Sequence, residues 1–220
     1  PFPTELSPRL ETEATNNNNV AQIAYKIPLN KTLSDLSKQD QSHFRVYNTV
    51  LSTFNEAGTS YFVPSIGGYH AAKLGKYQDV VDIYFSQDPR LKQYGIKDET
   101  GLINVLNMLN TKYILHGDVT QPQIEQNPTA LGNAWFTPNV KWTENANDEI
   151  LAINSTQLAN TVILRKDLVE NKQFKPAADA TAKIELVEYS PMKITYKSSS
   201  NTDQFAVFSE VYYPHGWTAS

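Results

Sequence analysis

The chain contains no cysteine. That excludes disulfides, thiolate catalysis, Cys-ligated zinc and iron–sulfur clusters. It also lacks a basic excess: 19 Lys and Arg face 23 Asp and Glu, giving a net charge of −4. No cationic surface is predicted to displace counterions from a phosphate backbone, so no nucleic-acid partner is expected. No apolar run approaches the ~20 residues that span a bilayer. The opening PFPTELSPRL has neither a basic segment followed by an apolar one, as a signal peptide would, nor an initiator Met. It reads as the start of an excised or processed piece.

What is present fits a soluble globular α+β protein. The 220 residues are 40% hydrophobic and 19% charged, enough for one large domain or two small ones with a real core. Tyrosine is abundant, at 12. Its ring offers an apolar face and a hydroxyl, which suits sugars and polar ligands, although Tyr is equally a strand residue.

Residues 1–19 read as a leader, with three prolines and a closing run of asparagines. Ile23, Tyr25 and Ile27 alternate, which predicts a strand ended by Pro28, followed by a short helix over residues 30–38. HFRVYNTVL predicts a strand and TSYFVPSIGG an extended piece. Leu74, Tyr77, Val81 and Tyr84, with His70 in front, fit one helical face from about Tyr69 to Phe85, with Ser65 or Gly68 near its start and Gly75 as a kink or close contact. Leu102, Val105, Leu106 and Leu109 form the stripe of a second helix that begins near Asp98. KYILHG reads as a buried strand. NAWFTPNVKWTEN reads as a strand interrupted at Pro138, NANDEILAINS as a short helix and TVILRKDL as a strand. From Asn171 the pattern becomes period-two runs, KIELVEYS, MKITYKSS and QFAVFSEVYY, which predict hairpins in series. The expected organisation is α+β: a leader with short elements over 1–40, a mixed α/β subdomain over 41–170, and an antiparallel β-subdomain over 171–220. The last resembles a truncated β-sandwich, since PHG and Trp217 anticipate a further strand.

Local catalytic signatures are missing. His43, His70, His116 and His215 show no HxxxH or HxH spacing, so no metal motif and no cofactor is expected. There is no GxSxG and no GxxxxGK[ST]. Asp79 and Asp82 are three apart on a predicted helix, a pattern open to acid–base pairing or to a solvated face. The stretch SIGGYHAAK carries two readings. At a helix start, Gly67 and Gly68 would let a ligand reach free N–H groups, with Tyr69 stacking and His70 and Lys73 supplying polar contacts. Alternatively, Gly67 and Gly68 serve only backbone geometry while Tyr69 and His70 pack locally.

Five stretches occur in a fixed order: HFRVYN, NEAGTSYFVPSIGGYHAAKLGKYQDVVD, LNMLNTKYIL, NPTALGNAWF and FAVFSEVYYPHGW. Together, from about Asp35 onward, they resemble the extracytoplasmic part of YfhO-type bacterial membrane proteins, most closely the versions in Bacteroides relatives. The resemblance implies a multi-pass parent similar in plan to GT-C glycosyltransferases, some relatives of which add sugars to lipoteichoic acid or other envelope polymers. The implied partners are the transmembrane helices of the same chain and an envelope glycan or polyprenyl-phosphate sugar. The implied role is an accessory one in the periplasm or on the outer face, or a structural or protein-interaction role without sugar binding. Catalytic residues would lie on loops between membrane helices, so none carries over. Gly67, Gly68, Tyr69, His70 and Lys73 match the family stretch.

Overall fold

The computed structural model describes residues 17–69, 72–86, 100–169, 174, 176–213 and 215–219, with side chains of the first helix from Lys26 onward. Most of the expected leader, the start of the second predicted helix near Asp98, and Asn171 lie outside the described residues. Two units are each built from two stretches of chain: residues 1–71 with 111–128, and residues 72–110 with 129–220. Helices and strands mix in small sheets, so the fold is α+β, as composition and patterning predict.

In the first unit, α1 runs Asn17–Gln39. This corrects the expected strand and short helix: one helix covers both, and Pro28 lies inside it. Proline removes one i→i−4 bond and usually breaks a helix, but here tertiary packing prevails. Leu29, Leu33 and Leu36, spaced four and three apart, are all buried, while Ile27 is 56% exposed. A strand would have aligned Ile27 inward with its alternating neighbours.

The leucines pack with Phe44, Val46, Val63, Leu115 and Val119. Beneath them lies a sheet of β1 (Arg45–Asn48), β2 (Thr111–Gly117) and β3 (Pro122–Gln126), in that order. β1 runs parallel to β2, and β3 antiparallel. Val46 and Leu115 are wholly buried. β3, PQIEQ, is polar and exposed over most of its length, so no apolar alternation announces it; it exists because β2 offers it a ladder.

At the edge of this core, Asp40 joins the end of α1 to β2. Its carboxylate accepts from Lys112 Nζ at 2.5 Å, from the Tyr113 hydroxyl at 2.8 Å and from the Ser42 hydroxyl at 2.6 Å. Burial opposes ionisation, but the hydrogen bonds from Lys112, Ser42 and Tyr113 outweigh it and hold the carboxyl well below the usual range. Burial, then the bond to Asp40 and its charge, raise the Tyr113 phenol. A carboxylate depressed in the folded state stabilises above its unfolded value of about 3.9, and that stability fades as pH falls toward the folded value. Asp40→Asn is therefore expected to lower the melting temperature at neutral pH, with the gap to wild type closing in acid. Thermal melts of both proteins at about pH 7, 4 and 2.5 check this; a gap independent of pH would contradict it.

In the second unit, α2 (Gly75–Tyr84) and α3 (Thr100–Met108) meet where Gly101 touches the Tyr84 ring. A Cβ on Gly101 would fall 2.5 Å from that ring and 2.6 Å from Asn154 Oδ1. The Tyr84 hydroxyl donates to the Ile150 carbonyl at 2.6 Å, and burial pushes this phenol up to about 12. Asn104 donates to the carbonyls of Ile153 and Thr156. As patterning predicts, Val105, Leu106 and Leu109 are buried.

The strand interrupted at Pro138 is two strands in two sheets: β4 (Ala134–Thr137) and β5 (Asn139–Thr143). β5 pairs parallel with β6 (Thr161–Arg165) through α4 (Ala146–Ala152), whose cap Asn145 accepts from the Asp148 N–H at 2.9 Å. β7 (Lys183–Ser190) and β8 (Lys193–Ser199) form the predicted hairpin. β9 (Phe205–Phe208) does not extend that hairpin; it pairs antiparallel with β4. The Tyr196 and Phe208 rings meet edge-on at 4.9 Å, joining the β7–β8 hairpin to the β4–β9 pair.

Candidate functional site

The glycine pair does not start a helix. α2 begins at Gly75, capped by Leu74 in an extended conformation without a side-chain bond, so Gly67 and Gly68 lie well before its first turn. The helix-dipole argument for ligand binding there is corrected accordingly. Gly75 opens the helix with nothing near its Cβ position; it is neither a kink nor a packing contact.

The pair instead closes a turn built on the end of β1. Val46 accepts from the Ile66 N–H at 3.1 Å, and its own N–H donates to the Pro64 carbonyl at 2.9 Å. Gly67 N–H donates to Ser65 Oγ at 3.0 Å, and Gly68 N–H to the Thr53 carbonyl at 2.8 Å. A Cβ on Gly67 would lie 2.0 Å from that same carbonyl oxygen. Gly68 has φ +134°, a conformation that favours glycine. Both glycines are thus required by backbone geometry, which is the part of the second reading that concerns Gly67 and Gly68.

Under this turn lies a polar framework that sequence reading did not single out. Asn48 is fully buried. Its amide donates to Thr59 Oγ1 at 2.8 Å, its side-chain oxygen accepts from Val50 N–H at 3.0 Å, and its carbonyl accepts from the Thr53 hydroxyl at 2.5 Å. Glu56 accepts from Thr59 N–H at 3.0 Å. An Asn closing a run of strand formers, followed by Thr on both sides of NEAG, is the signal that marked it. Buried polar groups satisfied in this way fix one conformation.

From the framework two large rings reach solvent: Tyr61 is 73% exposed and Tyr69 is 74% exposed. Tyr69 does not pack locally. His70 lies outside the described residues. Lys73 is exposed and belongs to the second unit, whereas Gly67, Gly68 and Tyr69 belong to the first. Chemically, the turn offers flat apolar rings with hydroxyl rims on a backbone that does not have to be ordered on binding, an arrangement suited to stacking against a sugar.

The other candidates are not drawn together. Asp79 and Asp82 are both exposed on α2, and Asp82 accepts from Gln78 at 2.6 Å, the solvated-face reading. His43 and His116 lie in the first unit and His215 in the second, where its ring meets Tyr213 edge-on at 5.5 Å. Among the described residues no cluster of His, Asp or Glu could hold a metal ion, and no helix is long and apolar enough to cross a membrane.

The second unit also carries an open cleft of about 490 Å³ between β4 and the start of β7, bordered by Ala134, Phe136, Asp179, Ile184 and Gln204 among others. The Asp179 carboxylate is already occupied: it accepts from the Thr181 N–H and hydroxyl and from the Asn201 N–H, bonds that hold it down at about 2. Comparison of the chain with protein-family models, with curated proteins and with solved structures finds no match.

Proposed function

We propose that this chain is an extracytoplasmic accessory part of a YfhO-type membrane protein and that it positions a glycan acceptor or lipid-linked sugar donor for chemistry carried out elsewhere in the parent. The observation that carries the binding role is Tyr69, three-quarters exposed on a turn immobilised by the Thr53 carbonyl. An exposed aromatic on a fixed backbone loses little conformational entropy on binding and stacks on the apolar face of a sugar ring. The five ordered motifs support the parent family, and the implied partners are its transmembrane helices.

Titration of the ¹⁵N-labelled chain with neutral oligosaccharides and water-soluble polyprenyl-phosphate sugar analogues tests the role. Shifts are expected at Tyr61 and at Gly67 to Tyr69, with Tyr69→Ala weakening binding by about tenfold, the order of one aromatic contact. Because the side chain is mostly solvent-exposed, the variant is expected to melt within a degree or two of wild type. No shift in this turn with any of these probes would overturn the binding role. A protein-interaction role is the second reading, favoured by Val187, Tyr189 and Met192, which stand 64%, 44% and 93% exposed around the β7–β8 turn.

A further inference from the structure

The second unit also carries a smaller hollow of about 190 Å³. Trp135 of β4 and Val207 of β9, which are cross-strand partners, both border it. Val162 of β6 and Met108, the last residue of α3, border it as well, and the buried Leu158 closes it further in. Met108, Trp135, Val162 and Val207 are each half-buried, so the hollow opens to solvent and a ligand can enter without local unfolding.

Its few polar side chains are committed elsewhere. The Trp135 indole Nε1 donates to the Leu158 carbonyl at 2.8 Å, which also fixes the ring as a rigid surface. The Thr161 hydroxyl donates to Asn160 Oδ1 at 2.9 Å. No side-chain donor of the lining is therefore left for a ligand. Glu149 of α4 is the one charged residue on the lining. Arg165, whose charge acts on Glu149, is already bonded through Nε and Nη2 to Asp167 at 2.8 and 2.7 Å. A ligand carrying a carboxylate or phosphate would meet the like charge of Glu149 and find no donor to offset it.

We infer that this hollow is a binding site for a small uncharged apolar molecule, a ring or branched chain of about six to eight carbons, taken up without a hydrogen bond. Size and chemistry both select that class. An apolar cavity of about 150 Å³ stays dry and takes benzene, and this one is slightly larger. Water in such a space gives up hydrogen bonds that the lining cannot replace, so an apolar molecule displaces it favourably. A sugar would lose the same hydrogen bonds, which separates this site from the Tyr69 turn of the first unit. The inference stands whether or not that turn binds a glycan.

NMR titration of the whole chain, labelled at amides and methyl groups, tests it with toluene and with benzoate, a ring of similar size that carries an anion. Toluene is expected to shift the Trp135 indole N–H and the methyl groups of Met108, Leu158, Val162 and Val207, with a Kd of about 1 mM or below, the range open to seven heavy atoms. Benzoate is expected to bind at least about tenfold more weakly. Nuclear Overhauser contacts from toluene to the Met108 and Val207 methyls locate the ligand in the wild-type chain without any variant. Val207→Phe places a ring in the hollow and is expected to weaken toluene binding about tenfold or more while the amide spectrum stays folded. No shift at these groups with millimolar toluene overturns the inference. So does benzoate binding as tightly as toluene, or toluene contacts confined to other residues. A folded Val207→Phe protein that binds toluene unchanged overturns it as well.

Discussion

Gly67→Ala is expected to destabilise the first unit by about 3 kcal/mol, more than any other single-methyl addition in the turn. The new Cβ would stand 2.0 Å from the Thr53 carbonyl oxygen, 2.7 Å from its carbon and 2.6 Å from Thr53 Cγ2. Relief requires moving backbone, and that backbone is fixed on both sides. The Thr53 oxygen accepts from Gly68, the Thr53 hydroxyl donates to Asn48, and Asn48 is buried against Thr59. The strain therefore spreads into the polar framework instead of ending at one flexible side chain. For a chain of this size the melting temperature is expected to fall by about 10 °C. Gly68→Ala separates space from conformation. Its Cβ would meet only Glu56 O at 4.0 Å, so the change reports the positive φ alone and is expected to cost about 1–2 kcal/mol. Thermal melts of the two variants, read by circular dichroism, give the order; a Gly67→Ala protein as stable as wild type would mean the turn does not close on Thr53.

The second large effect is expected from Leu33→Ala. Leu33 is 1% exposed in the middle of the contact between α1 and the β1–β2 sheet. Removing its side chain leaves a cavity among Leu29, Leu36 and the sheet residues that these elements cannot readily close. The expected loss is about 3 kcal/mol. Ile27→Ala is the internal control. As a mostly exposed position on the same helix it is expected to change stability by about 0.5 kcal/mol or less. If residues 23–27 instead formed a strand with Ile27 inward, the two variants would approach each other in effect. Urea unfolding of both proteins, compared at equal m-value, decides between the two.

These two positions also show what patterning can and cannot reveal. In the sequence of α1, Leu29, Leu33 and Leu36 fall four and three apart, but Val20, Ile23 and Ile27 fall three and four apart at a different helical phase, so no single apolar stripe announces the helix. A proline in the middle and an alternating prelude favour the strand reading locally, and the core overrides both. α3 was legible because Val105, Leu106 and Leu109 make a continuous stripe. β1, β2, β6 and the β7–β8 hairpin were legible for the corresponding reason in strands. β3 was not, because an exposed polar edge strand owes its existence to its neighbour's hydrogen-bonding groups. The pairing of β9 with β4 was equally hidden, since nothing in hairpin-like spacing specifies a partner some seventy residues earlier. At the candidate site, the glycine pair stood out in the sequence, but its reason did not. Gly67 is glycine because of Thr53, a contact across a loop, and the framework of Asn48, Thr53 and Thr59 uses ordinary residues whose roles appear only once the chain has folded back.

The exposed rings of Tyr61 and Tyr69 are where the proposed function meets its ligand, and saturation-transfer NMR examines that contact most directly. The 220-residue chain is prepared with tyrosine as its sole protonated aromatic residue and mixed with oligosaccharides or soluble polyprenyl-phosphate sugar analogues. Irradiation of the tyrosine ring protons is expected to transfer magnetisation to sugar ring protons, and Tyr69→Ala is expected to remove most of that transfer. Transfer that survives Tyr69→Ala undiminished, or none from any tyrosine with the sugars at millimolar concentration, would contradict a glycan-positioning role for this turn.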